Sequence, residues 1–245
     1  MATDIQQTPF IKQLAANDRP TRDAALHSLR TYLSARRSLP ELELLKLWKG
    51  LFYCLWMSDR PKPQAALAQE LANLVQILPS EEEKIEFLRA FWKTMQREWT
   101  NIDVLRMEKF LLCVRRYLAA TFLAAKEGEW DVERIKSYLG TLEEVPCNVE
   151  DVRVPNGLRF HVIDIYVDEL ERVGALEEGS EAPVEVLLGP LRGLEKGSPN
   201  KVVRTKAKEA LGDERLPGNQ KPEGEEEEQA RKEDEDENGW GGIED

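Results

Sequence analysis

Apolar residues recur at three- and four-residue intervals along most of the chain, the period of a helix with one buried face. Thr8-Pro9, Pro40, Pro61-Lys62-Pro63, Pro79-Ser80 and Asp131 each stand just before such a run. Proline fits the first turn of a helix and obstructs its interior, so these positions read as starts. Ser80-Glu81-Glu82-Glu83 predicts a capping box, with Ser80 accepting from the Glu83 amide and Glu83 reaching back. The pattern predicts helices over 9–16, 20–37, 41–57, 62–78, 81–98, 102–127, 131–144 and 157–174, with weaker ones over 183–194 and 199–211. Residues 149–154 alternate, but they run into Pro155-Asn156-Gly157 and read as a loop.

Two helices are expected at the centre. From Leu42 to Met57, 12 of 16 residues are apolar or aromatic, which leaves no wide polar face. Glu43, Lys46 and Lys49 interrupt that run too early for a membrane span. Phe110, Leu111, Leu112, Val114, Tyr117, Leu118, Phe122 and Leu123 wrap broadly around the helix over 102–127. Helices joined by short polar loops pack as antiparallel neighbours, and successive pairs have the length of HEAT-like units, about 40 residues. No residue pattern recurs at a fixed offset. The fold expected is therefore all-α, an irregular HEAT-like array over 8–212, followed by a disordered acidic tail over 213–245.

Charge sharpens that division. The 245 residues carry −12, but the stretch from Gly218 to Asp245 holds 12 acids and three bases, which leaves −3 for the body. A uniformly basic nucleic-acid binder is excluded, so any phosphate contact must be local. Acidic self-repulsion and scarce apolar side chains are expected to keep the tail unfolded. Its single aromatic, Trp240, sits among glycines and is a candidate docking residue. Cys54, Cys113 and Cys147 are odd in number and widely spaced, which gives no disulfide framework and points to a reducing compartment. The opening MATDIQQTPF has neither the basic nor the apolar region of a signal peptide.

Catalytic motifs are missing: no nucleophile elbow, P-loop, dinucleotide fingerprint or C-x-x-C is present. His27 and His161 lack a second ligand at metal spacing and read as structural or surface residues. No enzyme, cofactor or metal is expected. Asp164, Asp168 and Glu171 share one helix face, which reads as solvated or as a dock for a basic segment. The densest cations are Arg36, Arg37, Arg60, Lys62, Arg97, Arg115 and Arg116, at helix ends or edges, where they complement a C-terminal dipole or meet phosphate. Helical spacing gives Trp48, Trp56 and Trp92 to packing; Trp99, at a helix end beside Arg97 and Glu98, is a candidate partner contact.

Three segments carry a family resemblance: LWKGLFYCLWMSDRP from Leu47, FWKTMQREWTNIDVLRMEKF from Phe91, and PNGLRFHVIDIYVDEL from Pro155. Long, rich in tryptophan and in the expected order, they resemble the signature blocks of the eukaryotic nucleolar ribosomal-RNA-processing protein 1 family. The similarity covers about Phe10 to Gly174, and the last two helices lie outside the blocks. The resemblance implies a non-enzymatic assembly factor of the large (60S) ribosomal subunit, acting in the nucleolus on pre-ribosomes and needed for pre-rRNA processing. It implies work within a module that includes a WD-repeat protein, a Brix-domain protein and an RNA-binding factor. The cation clusters then become candidate contacts to rRNA or these partners. The residue pattern alone also admits a helical adaptor that never meets RNA.

Overall fold

A computed structural model describes residues 9–35 and 38–219. Its helices are α1 (Pro9–Leu14), α2 (Arg19–Ser34), α3 (Glu41–Trp56), α4 (Pro61–Ala72), α5 (Leu74–Ile77), α6 (Glu81–Glu98), α7 (Val104–Lys126), α8 (Val132–Glu144), α9 (Asn156–Arg172), α10 (Val184–Leu187), α11 (Gly189–Gly197) and α12 (Lys201–Leu211). A single 3-10 turn, Trp99–Asn101, joins α6 to α7. Among the described residues there is no strand, and no helix is long and apolar enough to cross a membrane.

The starts are held as side-chain chemistry dictates. Asp18 accepts from the Thr21 amide at 3.0 Å, Asp103 from Arg106 at 3.0 Å and Asp131 from Arg134 at 2.8 Å. At α6 only half of the expected box forms. Ser80 Oγ accepts from the Glu83 amide at 3.3 Å, but the Glu83 carboxylate accepts from the Ser80 hydroxyl, not from its amide.

Two expected helices are broken. The segment over 62–78 divides at Asn73, whose side chain accepts from Gln69 Nε2 and whose carbonyl takes a three-residue bond from Gln76. The three-residue backbone bond tightens the turn and interrupts the four-residue ladder. The segment over 183–194 divides at Leu188, just ahead of Gly189-Pro190, because proline supplies no N–H to continue α10.

Consecutive helices alternate between two layers. α1, α3, α6, α8 and the α10–α11 pair stack in one, and α2, α4–α5, α7, α9 and α12 in the other, each packed on the next. This alternation is the HEAT-like array expected from the helix lengths, and each helix can bury its apolar stripe only against its neighbours. One apolar cluster runs from Leu14 to Leu216. Trp48 of α3 sits in its middle with Phe87, Phe91 and Tyr117 rings centred 5.1, 5.0 and 5.0 Å away. Its indole N–H donates to the Phe87 carbonyl at 3.1 Å, so the one polar atom is satisfied.

The packed body continues past the expected boundary at 213. Leu216 is buried, and Arg215 donates to Glu171 at 2.7 Å and to Asp168 at 3.0 Å. The acidic residues from 220 onward, including Trp240, lie outside the described residues, as do Arg36 and Arg37.

Candidate functional site

α7 carries the chemistry most exposed to choice, because it packs on α4–α5, α8 and α9 and bears two adjacent arginines. Successive residues on a helix are about 100° apart, so Arg115 and Arg116 face different neighbours. Arg115 faces α9. Its Nη2 donates to Asp168 at 2.6 Å and its Nε to Glu169, a carboxylate with no exposed surface. Those bonds, set against burial, hold the Arg115 pKa above its ordinary value. This guanidinium is committed to the fold.

Arg116 faces the other way, toward the C-terminal end of α4, α5 and the end of α9. Among the described residues it makes no hydrogen bond or ion pair, and its Nε is buried without a partner. Burial, then the like charges of Arg172 and Arg115, holds its pKa below the arginine norm. It lines a cavity of about 150 Å³ with Gln69, Asn73, Gln76, Leu123 and Arg172. Lys126 is spent elsewhere, donating to the Val173 carbonyl at 2.7 Å and lying over the Trp130 ring. The cavity therefore joins two cations with side-chain amides and an aliphatic wall.

The other expected contacts are scattered. Arg60 and Lys62 are exposed and unpaired among the described residues, but they stand at the start of α4. A helix N-terminus repels cations, so neither complements a dipole. Arg97 lies in the last turn of α6, where the dipole favours it, and pairs with Glu98 at 2.7 Å. Trp99 is only 6% exposed, with its indole against Gly157, which leaves it little surface for a partner. A Cβ on Gly157 would come within 3.0 Å of that indole nitrogen. The structure does not gather these residues into one patch.

The acidic stripe of α9 is neither bare nor turned to a foreign partner. Asp164 pairs with Lys206 of α12 at 2.8 Å, Asp168 with Arg115 and Arg215, and Glu171 with Arg215. Its cations come from Arg115 of α7, Lys206 of α12 and Arg215 in the turn that follows α12.

A larger cavity of about 280 Å³ opens between α2, α3 and α4. Arg22 reaches into its floor, but that guanidinium bonds the carbonyls of Ala16, Asn17 and Met57. Asp23 and Glu70 offset the remaining cations there. Cys54 lines it with a thiol pushed up to about 11 by burial, and burial raises Cys113 and Cys147 to about 12, so none is a nucleophile at neutral pH. His161 Nε2 lies 2.9 Å from the Leu111 carbonyl, and no group of three metal-ligating side chains occurs among the described residues.

Sequence reasoning missed Arg172 and Gln76. Arg172 closes an acid-striped helix and Gln76 interrupts the apolar run Leu74-Val75-Gln76-Ile77, a polar residue that burial alone does not explain.

The described residues define the class of all-α proteins, a two-layer array of stacked helices. Residues 5–241 match the family model described as nucleolar protein Nop52, and the chain belongs to that family of nucleolar proteins. The match extends past Gly174, so the last helices share in it. The chain is 41% identical over 174 residues to human ribosomal RNA processing protein 1 homolog B, covering 69% of this chain and 23% of that protein. It is 42% identical over 172 residues to mouse ribosomal RNA processing protein 1 homolog A, covering 68% and 34%. With the Caenorhabditis elegans homolog it shares 35% over 170 residues, covering 68% and 43%. The chain thus spans less than half the length of these relatives.

Proposed function

We propose that the protein is a non-enzymatic assembly factor of the large (60S) ribosomal subunit, needed for pre-rRNA processing and acting as a scaffold on pre-ribosomes. The observation that carries this reading is the family match over residues 5–241, with relatives named for ribosomal RNA processing. The architecture supports it. A stacked array offers extended surfaces at the edges of both layers, and the body is close to neutral, which suits protein partners better than continuous RNA.

The partners proposed are other 60S assembly factors: a WD-repeat protein, a Brix-domain protein and an RNA-binding factor. Arg60, Lys62 and Arg116 are the proposed rRNA or partner contacts that the fold leaves unpaired. Purifying the tagged protein from nuclei and identifying what accompanies it tests the reading. Recovery of those factors with large-subunit rRNA precursors supports it; recovery of transport or signalling proteins without RNA overturns it.

A further inference from the structure

We propose that the cavity between α4–α5, α7 and the end of α9 binds one unpaired nucleotide of RNA, its phosphate against Arg116 and Arg172 and its base on the aliphatic wall. The proposal deepens the reading above and rests on it for the class of nucleic acid.

Four observations point to this ligand. First, Arg116 is the unspent charge: its neighbour Arg115 is bound to Asp168 and Glu169, whereas Arg116 bonds nothing among the described residues. Second, Arg172 stands on the same cavity, tied only loosely to Glu169 at 3.4 Å. Two cations sharing one carboxylate, Glu169, leave a local positive excess on a body of net −3. Third, Leu123 is 44% exposed on the cavity wall beside small alanines, an apolar surface suited to the face of a base.

Fourth, the amide of Gln76 is covered, with neither its nitrogen nor its oxygen bonded. Turning that amide toward a ligand breaks no bond and offers both a donor and an acceptor. A carboxylate would use the donor alone; a base edge uses both. A cavity of about 150 Å³ takes one base ring or one phosphate group, with the rest of the nucleotide outside it, and has no room for a helix or a strand of peptide. Splayed, unstacked bases are also what proteins read in RNA.

The test is binding of fluorescent ten-nucleotide oligo-U and oligo-A RNAs to the full chain at several salt concentrations. Arg116→Gln is the primary variant because it removes no bond, and Arg172→Gln and Gln76→Leu are the second and third. Arg116→Gln should weaken binding about tenfold, and the two arginine changes together should lower the salt slope by about 0.7, the share of one phosphate contact on a single strand. Gln76→Leu should alter the preference between the two RNAs and leave the salt slope unchanged. Unchanged melting of each variant ties the losses to the cavity.

Wild-type affinity and slope in the Arg116→Gln and Arg172→Gln proteins would overturn the proposal. So would normal RNA binding combined with loss of a glutamate-rich peptide of sequence 223–228, which would make the occupant an acidic segment. Neither outcome touches the assembly-factor reading, because association with pre-ribosomal particles is measured separately and does not require this cavity.

Discussion

Arg115 of α7 donates to Glu169 of α9, a carboxylate with no exposed surface, and so ties two consecutive helices of one layer together. Removing the cation leaves a buried charge held only by Arg172 at 3.4 Å. Stripping a fully buried pair of one partner costs about 3–5 kcal/mol, and solvent around the one-third-exposed Arg115 lowers that to about 2 kcal/mol for Arg115→Ala. Arg116→Ala removes no bond and should stay within about 0.5 kcal/mol of wild type. Urea midpoints of the two single variants check the contrast.

Trp48 and Trp56 lie two turns apart on α3 but differ in burial. Trp48 is 1% exposed and hydrogen-bonded to Phe87, so Trp48→Ala should cost about 3–5 kcal/mol. Trp56 is half-buried, has the Phe110 ring tilted 54° at 6.2 Å and carries the Arg106 guanidinium 4.7 Å above its ring. Its loss should cost about 1–2 kcal/mol, less than a core tryptophan. Thermal melting followed by circular dichroism separates the two; equal losses would place Trp56 in the core.

Gly157 admits the Trp99 indole because it has no Cβ. Gly157→Val should cost about 1–3 kcal/mol by forcing the ring off its seat. Tryptophan fluorescence would shift with it, and a variant of unchanged stability and spectrum would show that the ring can move without cost.

Acid should weaken the fold through carboxylates whose native pKa is lowered. Burial alone would raise Glu144, but hydrogen bonds from Lys93 and Arg89 bring it below 4.5; the Arg215 hydrogen bond lowers Asp213 and the Arg153 hydrogen bond lowers Asp151, both from 3.8. A lowered folded pKa means that the unfolded chain binds more protons, so stability falls as pH falls. The contribution is complete above about pH 5 and is lost progressively below about pH 4 as pH falls toward the lower folded values. Denaturant midpoints from pH 7 to pH 3 should decline over that window, and Asp213→Asn should flatten the decline.

Much of the array was legible because its cause is local. Proline and aspartate starts, a 3.6-residue apolar stripe and the nearly all-apolar face of α3 each act within a few residues, and α2 to α4 and α6 to α9 begin close to where those signals stand. The breaks at Asn73 and Leu188 depended on which turn a side chain or a following proline would tighten. The candidate site was less legible. Arg115 and Arg116 are indistinguishable in sequence, and only the positions of Asp168 and Glu169 across the interface decide which of them is spent. The α9 stripe posed the same problem, since its partners Lys206 and Arg215 are more than 40 residues away.

The central claim, that this helical array works on large-subunit precursors, is tested most directly by sedimenting nuclear extract containing the tagged full chain through a gradient. Co-migration with particles that hold large-subunit rRNA precursors, lost on nuclease treatment, is the result predicted. A protein that stays at the top of the gradient as a free pool, with those particles intact below it, would contradict the account.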